Sequence, residues 1–244
     1  MTQEVETRSR RHQKRKRGFT TYLGFILIAI ALALFAVDPV KNYMIQRGAE
    51  QNQVANLTRE DIQRNQDAEV TYDFDDIETL DAFTVLKDRV NPEDLPTIGG
   101  IAIPSVGINL PIYKGVSNEG MYLGAGTLFP DQQMGRSNYS LASHHSIHQD
   151  LLFAPLPKVH IGDRIYLTDL DKVYTYEVTM NQVVAPTRVD LIEPTQEDII
   201  TLITCDTGLV DRVVVQGKLV AEQPIEEAPQ DAWNAFNMDQ TVPD

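Results

Sequence analysis

IITLITCDTGLVDRVVVQGKLV, residues 199–220, holds the only cysteine of the 244-residue chain, Cys205. Two β-branched runs, 199–204 and 212–220, flank the short polar stretch DTGLVD. That pattern reads as two strands joined in a hairpin. The hairpin places Cys205 and Arg212 at the same edge of whatever sheet contains it. A cysteine closing a β-branched run is, taken alone, more often a small core hydrophobe than a nucleophile.

Upstream the same texture repeats. Strands are expected at 99–104, 108–113, 125–129, 138–143, 164–169 and 173–184, separated by turn residues. Val173–Val178, VYTYEV, alternates as a two-faced strand does. Eight short strands with few helices indicate a closed β-barrel or a sandwich. HQDLLFAPL, 148–156, fits one helical turn, and YDFDDIETLDAFTVL, 72–86, a docked helix. The acidic tail contains DAWNAF, a short helix expected to cover a barrel edge with Trp233 packed beneath it.

The N-terminus is different. Residues 1–17 carry seven basic and two acidic side chains. Removing them from the whole-chain 21 and 35 leaves 14 basic and 33 acidic, a net of −19. An acidic body of that kind argues against nucleic-acid binding. FTTYLGFILIAIALALFAV, 19–37, has no charge and matches the ~20 residues of a membrane-spanning helix. The basic head before it predicts a cytoplasmic N-terminus. An uncleaved anchor is favoured over a signal peptide, because the small-x-small triplet Ala31-Leu32-Ala33 lies inside the run. Residues 38–70 are polar and read as a stalk, with Thr58 and Asp61 spaced as a capping box. The resulting divisions are a basic head (1–17), an anchor (18–37), a stalk (38–71), a β-domain (72–221) and an acidic tail (222–244).

Outside the membrane, one cysteine cannot form an internal disulfide, so a reactive thiol becomes the stronger reading. A thiol near its reference pKa of about 8.5 is mostly neutral at pH 7 and needs help to ionise. Two sources lie in the sequence: SLASHHSIHQD, with His144, His145 and His148 after a strand, and Arg212 across the hairpin. His144 and His148 stand four apart, but HExxH is absent and zinc needs three or four ligands, so no metal site is expected. His12 and His160 receive no role.

TLITC with a downstream Arg strand RVVVQG, LASHH upstream and IGGIAIPSVGINLPIYKG (98–115) resemble class A of the sortase family over about residues 72–221. The resemblance implies a mainly β fold, a closed eight-stranded barrel, behind an N-terminal transmembrane helix. It implies a cysteine transpeptidase of Gram-positive bacteria, a thiol-protease-like enzyme held on the cell membrane by a single pass, with its catalytic domain extracellular. Such an enzyme cleaves a Leu-Pro-x-Thr-Gly (LPxTG) sorting signal between Thr and Gly. It joins the Thr carboxyl to an amine of a cell-wall precursor, anchoring surface proteins. Cys205 matches the nucleophile, His144 the proton donor and acceptor, and Arg212 the group that holds carbonyls and the oxyanion. Ala142, Ile203 and Thr204 would line the peptide groove. TRVDLIEP (187–194) matches the loop meeting the Leu-Pro end, making Val189, Leu191 and Ile192 contacts there. His145 would be at most an auxiliary donor.

No cofactor is implied. Some class A members bind calcium through acids before the His strand. The matching stretch here, FPDQQMGRSNYS (129–140), has Asp131 as its only carboxylate and Arg136 in its middle. Calcium favours several carboxylates, so calcium independence is expected. Asp38-Pro39 followed by Val lacks the lid aromatic of pilus-building members and the tail is polar, so a housekeeping class A enzyme is favoured, with a pilus-type sortase and a cysteine hydrolase without transfer as the alternatives. A non-enzymatic β-domain with a core cysteine is the remaining rival.

Overall fold

The computed structural model describes residues 18–73, 94–145, 151–208 and 210–236. The chain divides into two units, Met1–Pro39 and Val40–Asp244. The apolar run of the first unit is helical, within α1 (Phe19–Gln51), and Phe25, Leu32, Leu34 and Phe35 are exposed on it. Among the described residues no helix is long and apolar enough to cross a membrane.

The second unit is a barrel. Its strands are β1 (Thr97–Ile103), β2 (Ile108–Tyr113), β3 (Ala125–Thr127), β4 (Asn138–Ala142), β5 (Arg164–Thr168), β6 (Lys172–Val184), β7 (Ile199–Cys205) and β8 (Arg212–Pro224). Their order is β1-β2-β3-β4-β7-β8-β6-β5, and antiparallel pairing of β1 with β5 closes the ring. All eight expected strands are present, and the barrel is chosen over the sandwich. Pairing is antiparallel except between β2 and β3 and between β4 and β7. Ile101, Leu141, Leu167, Tyr176, Leu202 and Val215 are buried in the principal core. Their strands leave the opposite face for other uses, as a period-2 pattern dictates.

The segment expected to be a stalk contributes to this packing. α2 (Arg59–Gln66) begins with the capping box: the Thr58 hydroxyl accepts from Asp61 N, and the Asp61 carboxylate accepts from Thr58 N. Val54 and Ile62 are buried in a second apolar cluster with Ala102 and Tyr166 of the barrel wall. Gly100 makes this approach possible, since a Cβ there would stand 2.8 Å from Val54 Cγ1. Asn65 donates to Thr97 O, and Lys114 Nζ to the carbonyls of Gln66 and Ala68. Two apolar side chains in a polar stretch carry the docking, too few for the sequence pattern to reveal.

Among the described residues, two further α-helices pack in this unit. α3 (Asn118–Leu123), N-capped by Ser117, precedes β3 and is not anticipated from the sequence. α4 (Gln230–Phe236) is the expected tail helix. Ala232, Ala235 and Phe236 share its buried face, at spacings of three and four. Trp233 falls on the other face and is 37% exposed, so the expectation that it packs beneath the helix is corrected. The helix expected over 72–86 lies, from residue 74, outside the described residues. So do residues 148–150 of the expected turn at 148–156, whose remainder forms turns before a 3-10 turn at Leu156–Lys158.

Candidate active site

Three adjacent strands, β4, β7 and β8, deliver the site. In the β7–β8 hairpin Cys205 stands directly opposite Arg212. Directly opposed residues put their side chains on one face, with Cβ atoms about 5 Å apart. β4 runs parallel to β7 with Ala142 beside Ile203. Two residues further along each strand lie His144 and Cys205. Nucleophile, imidazole and guanidinium therefore leave one rim of the barrel.

The rim is held by short ties. Ser143 N donates to Ile203 O at 3.3 Å, extending the β4–β7 ladder past the end of β4. The Thr204 hydroxyl donates to Ser143 O at 2.8 Å, and the Ser143 hydroxyl to Gly124 O at 2.6 Å. Asp206 closes the hairpin by accepting from the backbone N–H of Val210 and Asp211. Thr204 is thus buried on the face away from Cys205. The expectation that it lines the groove is corrected: it fixes the two strands to each other.

His144 is 8% exposed, and its Nε2 has no hydrogen-bond partner among the described residues. Its ring stacks on Tyr122 of α3, with centroids 5.2 Å apart and planes 21° from parallel. Burial disfavours the imidazolium and pushes the pKa of His144 down to about 4. Neutral imidazole is therefore its resting form, able to accept a proton at once and to give it up readily when charged. His145 is half-buried and bridges Leu152. Burial lowers its pKa too, against the opposing pull of Asp206. Cys205 and Arg212 are each half-buried, and Arg212 Nη1 donates to Asp211 O at 3.2 Å. The guanidinium is turned toward the carbonyls of its own hairpin turn, Val210 and Asp211, and is partly accessible.

The same face continues from Cys205 into an apolar cluster. Ala142 and Ile203 belong to it with Val116, Met121 and Leu128, and Ile192 packs on them from the β6–β7 connection. Leu191 is half-buried at the end of the 3-10 turn Val189–Leu191, whereas Val189 is 57% exposed. Of the expected contacts, Ala142, Ile203 and Ile192 pack in one apolar cluster, Leu191 is placed beside it by its backbone carbonyl, and Val189 is exposed. The stacking partner Tyr122 is missed by the sequence reading, because a tyrosine in GMYLGAG is indistinguishable from ordinary core. Among the described residues no group of three His, Cys, Asp or Glu is placed to hold a metal ion. In the stretch compared with calcium sites, Arg136 pairs with Glu222.

A thiol, a neutral imidazole and a guanidinium at one barrel rim, beside an apolar patch, are the groups a cysteine enzyme of acyl transfer requires. A sortase-domain family model matches residues 101–220. The chain is 34% identical over 238 residues to sortase A of Streptococcus agalactiae, covering 93% of this chain and 96% of that protein. It is 36% identical over 199 residues to sortase A of Listeria monocytogenes, covering 81% and 90%. The solved structure of sortase A from Listeria monocytogenes superposes with a TM-score of 0.54 at 40% identity, over 57% of this chain and 96% of that one. The chain belongs to the sortase family, class A, and is a cysteine transpeptidase acting on LPxTG-type sorting signals.

Proposed function

We propose that Cys205, His144 and Arg212 divide the transpeptidation between them. The Cys205 thiolate attacks the Thr carbonyl carbon of the signal, and Arg212 holds the resulting oxyanion. His144, protonated, gives its proton to the glycine nitrogen as the C–N bond breaks, leaving a thioester on Cys205. An amine of the cell-wall precursor then attacks the thioester. His144 takes the proton from that amine, and the Cys205 thiolate leaves. The supporting observation is the register: Cys205 faces Arg212 across the hairpin, and His144 sits at the matching position on the parallel strand. The depressed pKa of His144 means that thiolate and imidazolium coexist in a minority of molecules at neutral pH. The expected result is that Cys205→Ala abolishes cleavage of a Leu-Pro-x-Thr-Gly peptide and capture of the thioester by hydroxylamine. Any turnover remaining in that variant overturns the assignment.

Surface proteins bearing the signal are the partners on one side and the precursor amine on the other. The run 19–37 is proposed as a single-pass membrane anchor, with the N-terminus cytoplasmic and the barrel outside. The part of it whose side chains are described, residues 21–37, falls short of a bilayer alone. The whole charge-free run rises roughly 28 Å at 1.5 Å per residue, close to the ~30 Å hydrocarbon core. Turnover is proposed to need no calcium, in keeping with the single acid, Asp131, before the His strand.

A further inference from the structure

Along the outer face of β4, β7 and β8 the registers align side chains in rows. Cys205 and Arg212 form the rim row, and Ala142, Ile203 and Val214 the next. Ser140, Thr201 and Gln216 form the third, with Asn138 one step beyond. The second row is apolar. The third is polar, yet Ser140 and Thr201 are fully buried. What covers it is the backbone of the β6–β7 connection. Asn138 Nδ2 donates to the carbonyls of Leu191 and Glu193, each at 2.9 Å. The Ser140 hydroxyl donates to Ile192 O at 2.8 Å. Gln216 Nε2 donates to Leu191 O at 3.1 Å and to Thr201 Oγ1 at 3.0 Å. The Thr201 hydroxyl in turn donates to Asn138 Oδ1 at 2.7 Å. Three consecutive carbonyls are thus gripped by side chains from strands β4 and β8, with the Thr201 hydroxyl of β7 tying the two donors together.

We infer that Asn138, Ser140, Thr201 and Gln216 are positioning residues that fix the 191–193 backbone as the end wall of the signal groove. They thereby set where the first residue of the signal stops. From Cys205 to Thr201 is four residues of strand, about 13 Å at 3.3 Å per residue. An extended peptide with its fourth residue at the thiol has its first residue three positions away, about 10 Å, close enough for that residue's side chain to meet this wall. The wall is prepaid: with its carbonyls already bonded, no loop ordering is charged to substrate binding. The side chains of Leu191 and Ile192 are left to contact the signal. The inference rests on the expectation, carried by the family resemblance, that this connection meets the Leu-Pro end.

The test compares the full-length protein with Gln216→Glu, which keeps the shape but removes the donors, and with Gln216→Ala. Each is assayed on two peptides, Leu-Pro-x-Thr-Gly and the same peptide with Ala first. The inference expects KM for the Leu peptide to rise at least fivefold in both variants with kcat within about twofold. It expects the variants and the wild type to be alike on the Ala peptide. Unchanged KM on the Leu peptide in folded variants overturns the inference, as does an equal loss of kcat on both peptides, the mark of a merely structural residue. If the wild type itself does not distinguish Leu from Ala, the assignment of this connection to the Leu-Pro end fails first. Should Gln216→Ala prove unfolded, Gln216→Glu and Ser140→Ala carry the same comparison.

Discussion

The two ends of the groove, four residues apart on the same strands, are built to opposite standards. At the wall, every side chain of the third row is hydrogen-bonded to a neighbour or to a loop carbonyl. At the rim, His144 Nε2 is buried without a hydrogen-bond partner among the described residues. Leaving a buried polar atom unpaired costs about 1–3 kcal/mol. That cost is tolerated where the missing partner is a substrate proton and avoided where the task is to hold still. The difference separates chemistry from recognition within one sheet.

The strongest way to break this contrast is to remove the groups at the rim. His144→Ala and Arg212→Ala are each expected to lower kcat/KM by about 10²–10⁴-fold, in line with losses of general acids and oxyanion donors. Steady-state transpeptidation at neutral pH measures it, and a loss below tenfold for either would erase the distinction between rim and wall.

Stability should report the same strain more gently. The folded pKa of His144, about 4, lies below its unfolded value of about 6.5. Between these values the unfolded chain binds the proton more readily, so stability rises with pH there. The contribution is fully present above pH ~6.5 and is lost as pH falls through 4, on the order of 3 kcal/mol in all. Denaturation of the wild type and His144→Gln from pH 8 to 4 should show the wild type losing more. Parallel curves would mean that His144 pays nothing for its burial.

How far these two ends could be read in advance differs as well. Cys205 and Arg212 are seven residues apart on one hairpin, and short-range turn chemistry announces such a pair. His144 was reachable because it follows a strand in a recognisable motif. The eight strands were legible because β-branched runs alternate with turn residues; the closing pair β1–β5 was not, since register between distant strands leaves no local mark. The wall was invisible. Asn138 and Gln216 bond to backbone carbonyls more than 20 residues away, and a carbonyl has no sequence identity. Thr204 and Trp233 were misplaced for one reason: a residue's neighbours in sequence do not say which face it takes.

Smaller effects sharpen the contrast further. His145→Ala should cost only a few-fold in kcat, because the residue bridges Leu152 and stands beside the site rather than in it. A loss as large as that of His144→Ala would move the catalytic role one position along. Smallest of all, adding millimolar calcium or a chelator should leave the rate unchanged within twofold. Several-fold activation would mean that the wall is not finished by its own side chains.

The parallel pairing of β4 with β7 has a consequence for how the enzyme matures. Cys205 and Arg212 meet across a tight hairpin, whereas His144 must be brought to them over 61 residues of chain. Closing the longer loop costs about 2 kcal/mol more in entropy than closing the shorter. Contacts so distant in sequence form late in folding. A nascent chain would carry its thiol and guanidinium side by side before it gains its imidazole, so the proton-transfer step stays disabled until the barrel has sealed.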